Sequence, residues 1–93
     1  MSERILVVIP AFNAEKSVGE IVRGCREFLS DVVVVNDGSS DQTATAATAA
    51  GAALVSHSRN RGKGAALKSG FAWALQHGYD AVITQRSDRK SVV

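Results

Sequence analysis

Four short apolar runs punctuate the chain, at residues 5–9, 32–35, 52–55 and 81–84. None alternates with polar residues, which predicts strands buried on both faces, as in parallel sheets covered by helices. Between the first two runs, Val18, Ile21, Val22, Cys25 and Phe28 recur at helical spacing, with Glu20, Arg23 and Glu27 falling elsewhere. This stripe places Cys25 on a buried face as a packed thiol. A second helix is expected from Ser40-Asp41, a capping pair, through an Ala/Thr stretch to a left-handed stop at Gly51. A third is expected from about Gly64 to His77 with Gly78 as its stop; Leu67, Phe71, Ala74 and Leu75 share one face, and Trp73 points away from it. With right-handed crossovers, this strict alternation predicts a doubly wound parallel α/β sheet of Rossmann-like type with four strands.

Composition and charge narrow the function classes. The chain has 93 residues, 45% of them hydrophobic, and a mean hydropathy of +0.02, values of an ordinary globular protein. The formal net charge of +2 is localised. Residues 1–84 carry as many acids as bases, and the surplus comes from Arg86, Arg89 and Lys90 against Asp88. The basic character belongs to the end of the chain and gives no support to nucleic-acid binding. A single cysteine, Cys25, allows neither an internal disulfide nor a zinc site. No signal-peptide pattern or membrane-spanning run is visible, so a cytoplasmic location is expected.

Candidate chemistry collects where the apolar runs end, the edge at which open α/β sheets bind ligands. The first turn, Pro10-Ala11-Phe12-Asn13, has no glycine, which argues against a dinucleotide-binding oxidoreductase. The Gly62-Lys63-Gly64-Ala65 segment lacks the order of a Walker loop. Asp37 ends a buried run; it is placed either to accept from a base or ribose, or to make an Asx turn. Phe12 offers a ring for a nucleobase or plugs the sheet end. Lys63 suits phosphate or is a solvated loop lysine. Asp41 reads as a helix cap, His57 as structural for want of a nearby acid–base partner, and His77 as a residue at a helix C-terminus.

Three segments, LVVIPAFNAEKSVGEIV, VVVVNDGSSDQTATAA and NRGKGAALKSGFAWALQHGYDAVIT, lie in order across residues 6–84. Together they resemble glycosyltransferase family 2, of the GT-A fold, and the NRGKGAAL piece is most similar to its polyprenyl- or dolichyl-phosphate sugar transferase branch. The resemblance implies a nucleotide-sugar-binding part at residues 1–84, followed by an atypical basic tail at 85–93. It implies that Pro10, Ala11 and Phe12 line the nucleobase pocket, that Glu15 lies near the base or ribose, that Asp37 hydrogen-bonds the base, and that Lys63 approaches the phosphates.

The same resemblance implies Mg2+ or Mn2+ held by an Asp-x-Asp motif after the fourth strand. Here Gln85-Arg86-Ser87-Asp88 stands there, with Asp88 on the second acid and Arg86 on the first. An arginine in that place weakens a site for a hard cation. The matching also stops near Thr84, which points to a truncated or frame-shifted product or a foreign tail. The expected partners are a UDP- or GDP-sugar donor and, in the full-length family, a polyprenyl or dolichyl phosphate acceptor at the membrane periphery. Without the acceptor half the chain is expected to bind its donor without turnover. The alternative is a non-catalytic remnant. The open sheet edge predicts self-association.

Overall fold

The computed structural model describes residues 3–87. Strands and helices alternate as β1 (Ile5–Ala11), α1 (Val18–Arg26), β2 (Val32–Asp37), α2 (Thr43–Ala49), β3 (Ala53–His57), α3 (Lys63–Gln76) and β4 (Ala81–Thr84). The strands form one parallel sheet in the order β3-β2-β1-β4. This is the doubly wound arrangement expected from the run pattern. β1 and β2 lie in the middle, where valine and isoleucine are buried on both faces. Among the described residues β3 and β4 each pair on one side only, and they are correspondingly more exposed.

The period of two along each central strand divides the core. Val7, Ile9 and Ala11 of β1 and Val32 and Val34 of β2 face α1 and α2, where Val18, Val22 and Ala47 meet them. Leu6 and Val8 of β1 and Val33 and Val35 of β2 face the opposite way, onto Ala66 and Ala74 of α3. Each buried valine, leucine or isoleucine contributes on the order of 1.5–3 kcal/mol of burial free energy. Two such layers on a shared sheet hold the strand ends in register.

Three expectations need correction. α1 ends at Arg26, and Phe28 is 86% exposed. The Phe28 amide bonds the Cys25 carbonyl at 3.1 Å, a tightened final turn that carries Phe28 off the apolar stripe. Second, α2 begins at Thr43 rather than at Ser40-Asp41, because the Asp41 carboxylate accepts the Thr43 amide at 3.0 Å and so caps from one position upstream of Gln42. Third, the sheet-facing stripe of α3 is Ala66, Gly70 and Ala74; of the expected Leu67–Phe71–Ala74–Leu75 face, Ala74 is buried and Leu67 packs against the core, but Phe71 and Leu75 do not. Leu75 is 80% and Phe71 42% exposed, whereas Trp73 packs against the core and stacks on His77 and Tyr79.

The cause of the third difference is the closeness of helix and sheet. A Cβ on Gly70 would lie 2.4 Å from Val8 Cγ1, so only small residues fit along that line. Cys25 is half-buried against the α1/α2 core, and burial pushes its thiol up, as suits a packed cysteine. No described helix is long and apolar enough to cross a membrane.

Candidate functional site

The strand order places a switch between β1, whose chain leaves toward α1, and β4, which arrives from α3. Loops diverge on the two sides of such a point and leave a crevice beyond the carboxyl ends of the strands. A cleft of about 410 Å³ lies there, within the range of small-molecule sites. Its walls include Pro10, Phe12, Asp37, Lys63 and Arg86.

Asp37 organises the cleft from below. It follows Val33 and Val35 on the α3 face of β2, so its side chain turns toward α3. The β2–β3 register sets it beside His57. Its Oδ1 accepts from His57 Nδ1 at 2.7 Å and from the Arg61 amide at 2.9 Å; Oδ2 accepts from the Gly62 amide at 2.9 Å. A carboxylate can only accept here, so Nδ1 carries the proton, and in the neutral ring Nε2 accepts from the Ser69 hydroxyl at 2.7 Å. Asn60 adds a bond to the Asp37 carbonyl at 3.3 Å. The result is a clasp that fixes the loop between β3 and α3 and brings Lys63 to the cleft wall.

The order Asp–His–Ser is also that of a nucleophilic triad, but the surroundings of Ser69 do not support that chemistry. Ser69 lies inside α3, where neighbouring amides are committed to helical carbonyls, and an oxyanion needs uncommitted donors. Gly38 serves the same clasp. Its φ of +73° favours glycine, and a Cβ there would lie 2.2 Å from the Arg59 carbonyl carbon. The loop can therefore lie directly against the end of β2.

A second set of bonds laces the β1–α1 turn to the β2–α2 loop. The Asn13 amide donates to Ser39 Oγ at 2.9 Å, and Asn13 Oδ1 accepts the Ser40 amide at 2.9 Å. The fully buried Thr43 hydroxyl accepts the Ala14 amide at 2.8 Å and donates to Asp41. Glu15 donates its amide to Asp41 Oδ2 at 3.2 Å, and its own carboxylate accepts the Gln42 amide at 2.8 Å. Asp41 and Glu15 thus satisfy donors at the start of α2, a local pairing similar in logic to a capping box.

Of the residues singled out in the sequence, Pro10, Ala11, Phe12, Asp37 and Lys63 line the one cleft; Glu15 is not among its lining residues. Phe12 is 51% exposed at the rim, an open ring rather than a plug. Sequence reasoning missed Asn13, Ser17 and Asn60 as lining residues, and it missed the partnership of His57. The available signal was the polar ends of two adjacent parallel runs, Asn36-Asp37 and Ser56-His57, which must lie level if the runs pair. Ser17 also donates to the Ser87 carbonyl at 2.6 Å, tying the start of α1 to the segment after β4.

Asp88, the expected metal ligand, lies outside the described residues. Those that are described do not fit a divalent cation. No group of three His, Cys, Asp or Glu among them could hold one, Asp37 is engaged by its clasp, and Arg86 lines the cleft.

Burial works to raise the Asp37 carboxyl, but the hydrogen bonds from His57, Arg61 and Gly62, with the attraction of the imidazole, hold it below its ordinary value of 3.8. Asp41 is lowered likewise: burial opposes the shift, and the bonds from Thr43 and Glu15 outweigh it. Groups depressed by folding contribute stability that is present above the unfolded value and lost as pH falls through the folded one. The urea midpoint is therefore expected to show no loss from these two acids down to roughly pH 5, and to fall below pH 3.8. A midpoint unchanged between neutral pH and pH 2.5, followed by circular dichroism, contradicts this role for the two carboxylates.

Comparison with known proteins agrees with this fold. The family model for glycosyl transferase family 2 matches residues 6–88. The polyprenol monophosphomannose synthase of Mycolicibacterium smegmatis is 30% identical over 97 residues, covering 94% of this chain and 36% of that protein. The undecaprenyl-phosphate mannosyltransferase of Micrococcus luteus is 34% identical over 92 residues, covering 91% of this chain and 38% of that one. The chain thus spans little more than a third of the length of these relatives. Among solved structures, glucosyl-3-phosphoglycerate synthase from Mycobacterium tuberculosis, crystallised with Mn2+, UDP-glucose and phosphoglyceric acid, superimposes with a TM-score of 0.80 at 29% identity. That match covers 94% of this chain and 34% of the neighbour. The alternating fold, the cleft at the strand switch and the family match converge, and the chain belongs to glycosyltransferase family 2, whose fold is GT-A.

Proposed function

We propose that the cleft receives the nucleotide of a UDP- or GDP-sugar, and that the protein to which this chain corresponds passes the sugar to a polyprenyl phosphate. The observation that carries the first half is the gathering of Phe12, Asp37 and Lys63 around one crevice at the strand switch. Phe12 offers its ring to the base, with Pro10 and Ala11 forming the pocket floor. Asp37 holds the loop through its bonds and keeps acceptor capacity for a base or ribose donor, since a carboxylate has about four lone-pair sites. Lys63, at the first turn of α3, meets the phosphates. Glu15 acts through the turn it braces rather than by lining the pocket.

The second half rests on the names of the two relatives, both of which act on polyprenyl-type phosphates. Asp37 is the only acid among the described lining residues, and the clasp takes three of its about four acceptor sites. We therefore expect the 93-residue chain to bind donor without transferring its sugar.

Calorimetric titration with UDP and with GDP tests donor binding. One of the two is expected to bind, and Phe12→Ala is expected to weaken that binding by about 1–3 kcal/mol, the worth of one base stacked on an aromatic ring. A folded chain that binds neither nucleotide contradicts the proposal.

A further inference from the structure

We infer that the diphosphate of the bound nucleotide is neutralised by Arg86 together with Lys63, in place of a divalent cation, so that nucleotide binding by this chain is independent of metal. The inference rests on the cleft being the donor site and adds how that site handles charge.

The cleft carries two cations and one acid among its described lining residues. Lys63 and Arg86 approach from different elements, one at the start of α3 and one just beyond β4. The acid, Asp37, is turned to its clasp: one oxygen accepts from His57 and Arg61, the other from Gly62. The start of α3 adds to the positive side. Gly62 precedes the helix without a side-chain cap, the first intrahelical bond reaches only the Ala66 amide, and Gly62, Lys63 and Ala66 all line the cleft. The positive end of the helix dipole therefore borders the wall at Lys63, while the Gly62 amide is held by Asp37 and Gly64 and Ala65 face a separate pocket.

A divalent ion in such a place needs several hard oxygen ligands, and a guanidinium beside it repels it. The same guanidinium suits a diphosphate directly. It is always charged, and its planar fork can donate two parallel hydrogen bonds to phosphate oxygens. Arg86 sits on the segment that Ser17 ties down through the Ser87 carbonyl at 2.6 Å, so its backbone is anchored at the cleft.

Titration of the 93-residue chain with UDP and GDP, each with Mn2+ or with EDTA, tests this, with uridine and guanosine as phosphate-free controls. The affinity for the preferred diphosphate is expected to agree within about twofold between Mn2+ and EDTA. Arg86→Ala is expected to weaken the diphosphate by about tenfold or more, the worth of a charge-assisted hydrogen bond, while the nucleoside affinity stays within about twofold. Arg86→Lys is expected to recover part of the loss, and unchanged nucleoside binding shows that each variant is folded. Diphosphate binding that requires Mn2+, or that is unaffected in Arg86→Ala, overturns the inference. A folded chain that binds neither nucleoside nor diphosphate overturns the donor-site reading itself.

Discussion

Replacing Asp37 by alanine is expected to cost about 2–3 kcal/mol of folding free energy and to reduce nucleotide affinity by at least about tenfold. The substitution strips acceptors from three donors at once: the His57 imidazole, the Arg61 amide and the Gly62 amide. The histidine side chain is nearly buried and loses its partner outright, whereas the loop amides can turn to water, which limits the stability cost. The functional cost is larger in proportion. Those amides fix the loop that ends at Lys63, and Asp37 itself forms part of the cleft wall. Asp37→Asn is expected to fall between, because one amide oxygen still accepts while its NH2 must face at least one donor. Urea unfolding with a binding titration on each variant separates the two effects. Wild-type stability and affinity in Asp37→Ala contradict the clasp.

The second large effect is expected at Gly70. α3 lies so near the sheet that a Cβ at this position meets Val8 Cγ1 at 2.4 Å, Val8 Cγ2 at 3.2 Å and Val35 Cγ2 at 3.4 Å. Val8 and Val35 are fully buried and stiff about χ1, so neither can swing aside. Gly70→Ala therefore forces the helix outward, at a cost of about 1–3 kcal/mol that the better helix propensity of alanine offsets by about 1. Gly70→Val has a smaller offset and a larger side chain to place, and is expected to cost about 3 kcal/mol. Gly24 in α1 provides the opposite control. It has open space where a Cβ would stand, and Gly24→Ala is expected to stabilise by about 0.5–1 kcal/mol. Equal behaviour of Gly24→Ala and Gly70→Ala in urea unfolding contradicts this account of helix–sheet contact.

The same contact explains what could and could not be read from the chain. Strand runs and their alternation with helices were legible because burial on both faces leaves an unbroken valine–isoleucine signature, as in residues 32–35. The face of α3 was not. Periodicity weights large side chains, and both the expected Leu67–Phe71–Ala74–Leu75 face and the Ala66–Gly70–Ala74 line recur at helical spacing, sharing Ala74. Only the nearness of Val8 decides between them. Phe28 was misplaced because the last turn of α1 tightens, a backbone event that leaves no mark in the apolar pattern.

At the cleft, Pro10, Ala11, Phe12, Asp37 and Lys63 were legible because they close or follow a strand or open a helix, and a parallel sheet brings all such ends to one edge. The use of Asp37 was harder to see. Its partners lie 20, 24 and 25 residues away, and no local rule pairs it with His57, Arg61 and Gly62 until β2 and β3 are set in register. Glu15 illustrates the reverse: the turn was located correctly, but its carboxylate serves the start of α2 instead of facing the cleft. The exchange of an acid for Arg86 was visible in the sequence; its place in the cleft wall required the fold.

The central claim is that this cleft holds a nucleotide, and amide chemical shifts recorded while UDP or GDP is titrated into the isotope-labelled chain test it most directly. The account predicts that the shifts concentrate at Ala11, Phe12, Asp37, Gly62 and Lys63, while residues on the far side of α3 such as Lys68 and Ala72 stay in place. Shifts confined to that far side, or none with either nucleotide in a folded chain, contradict it.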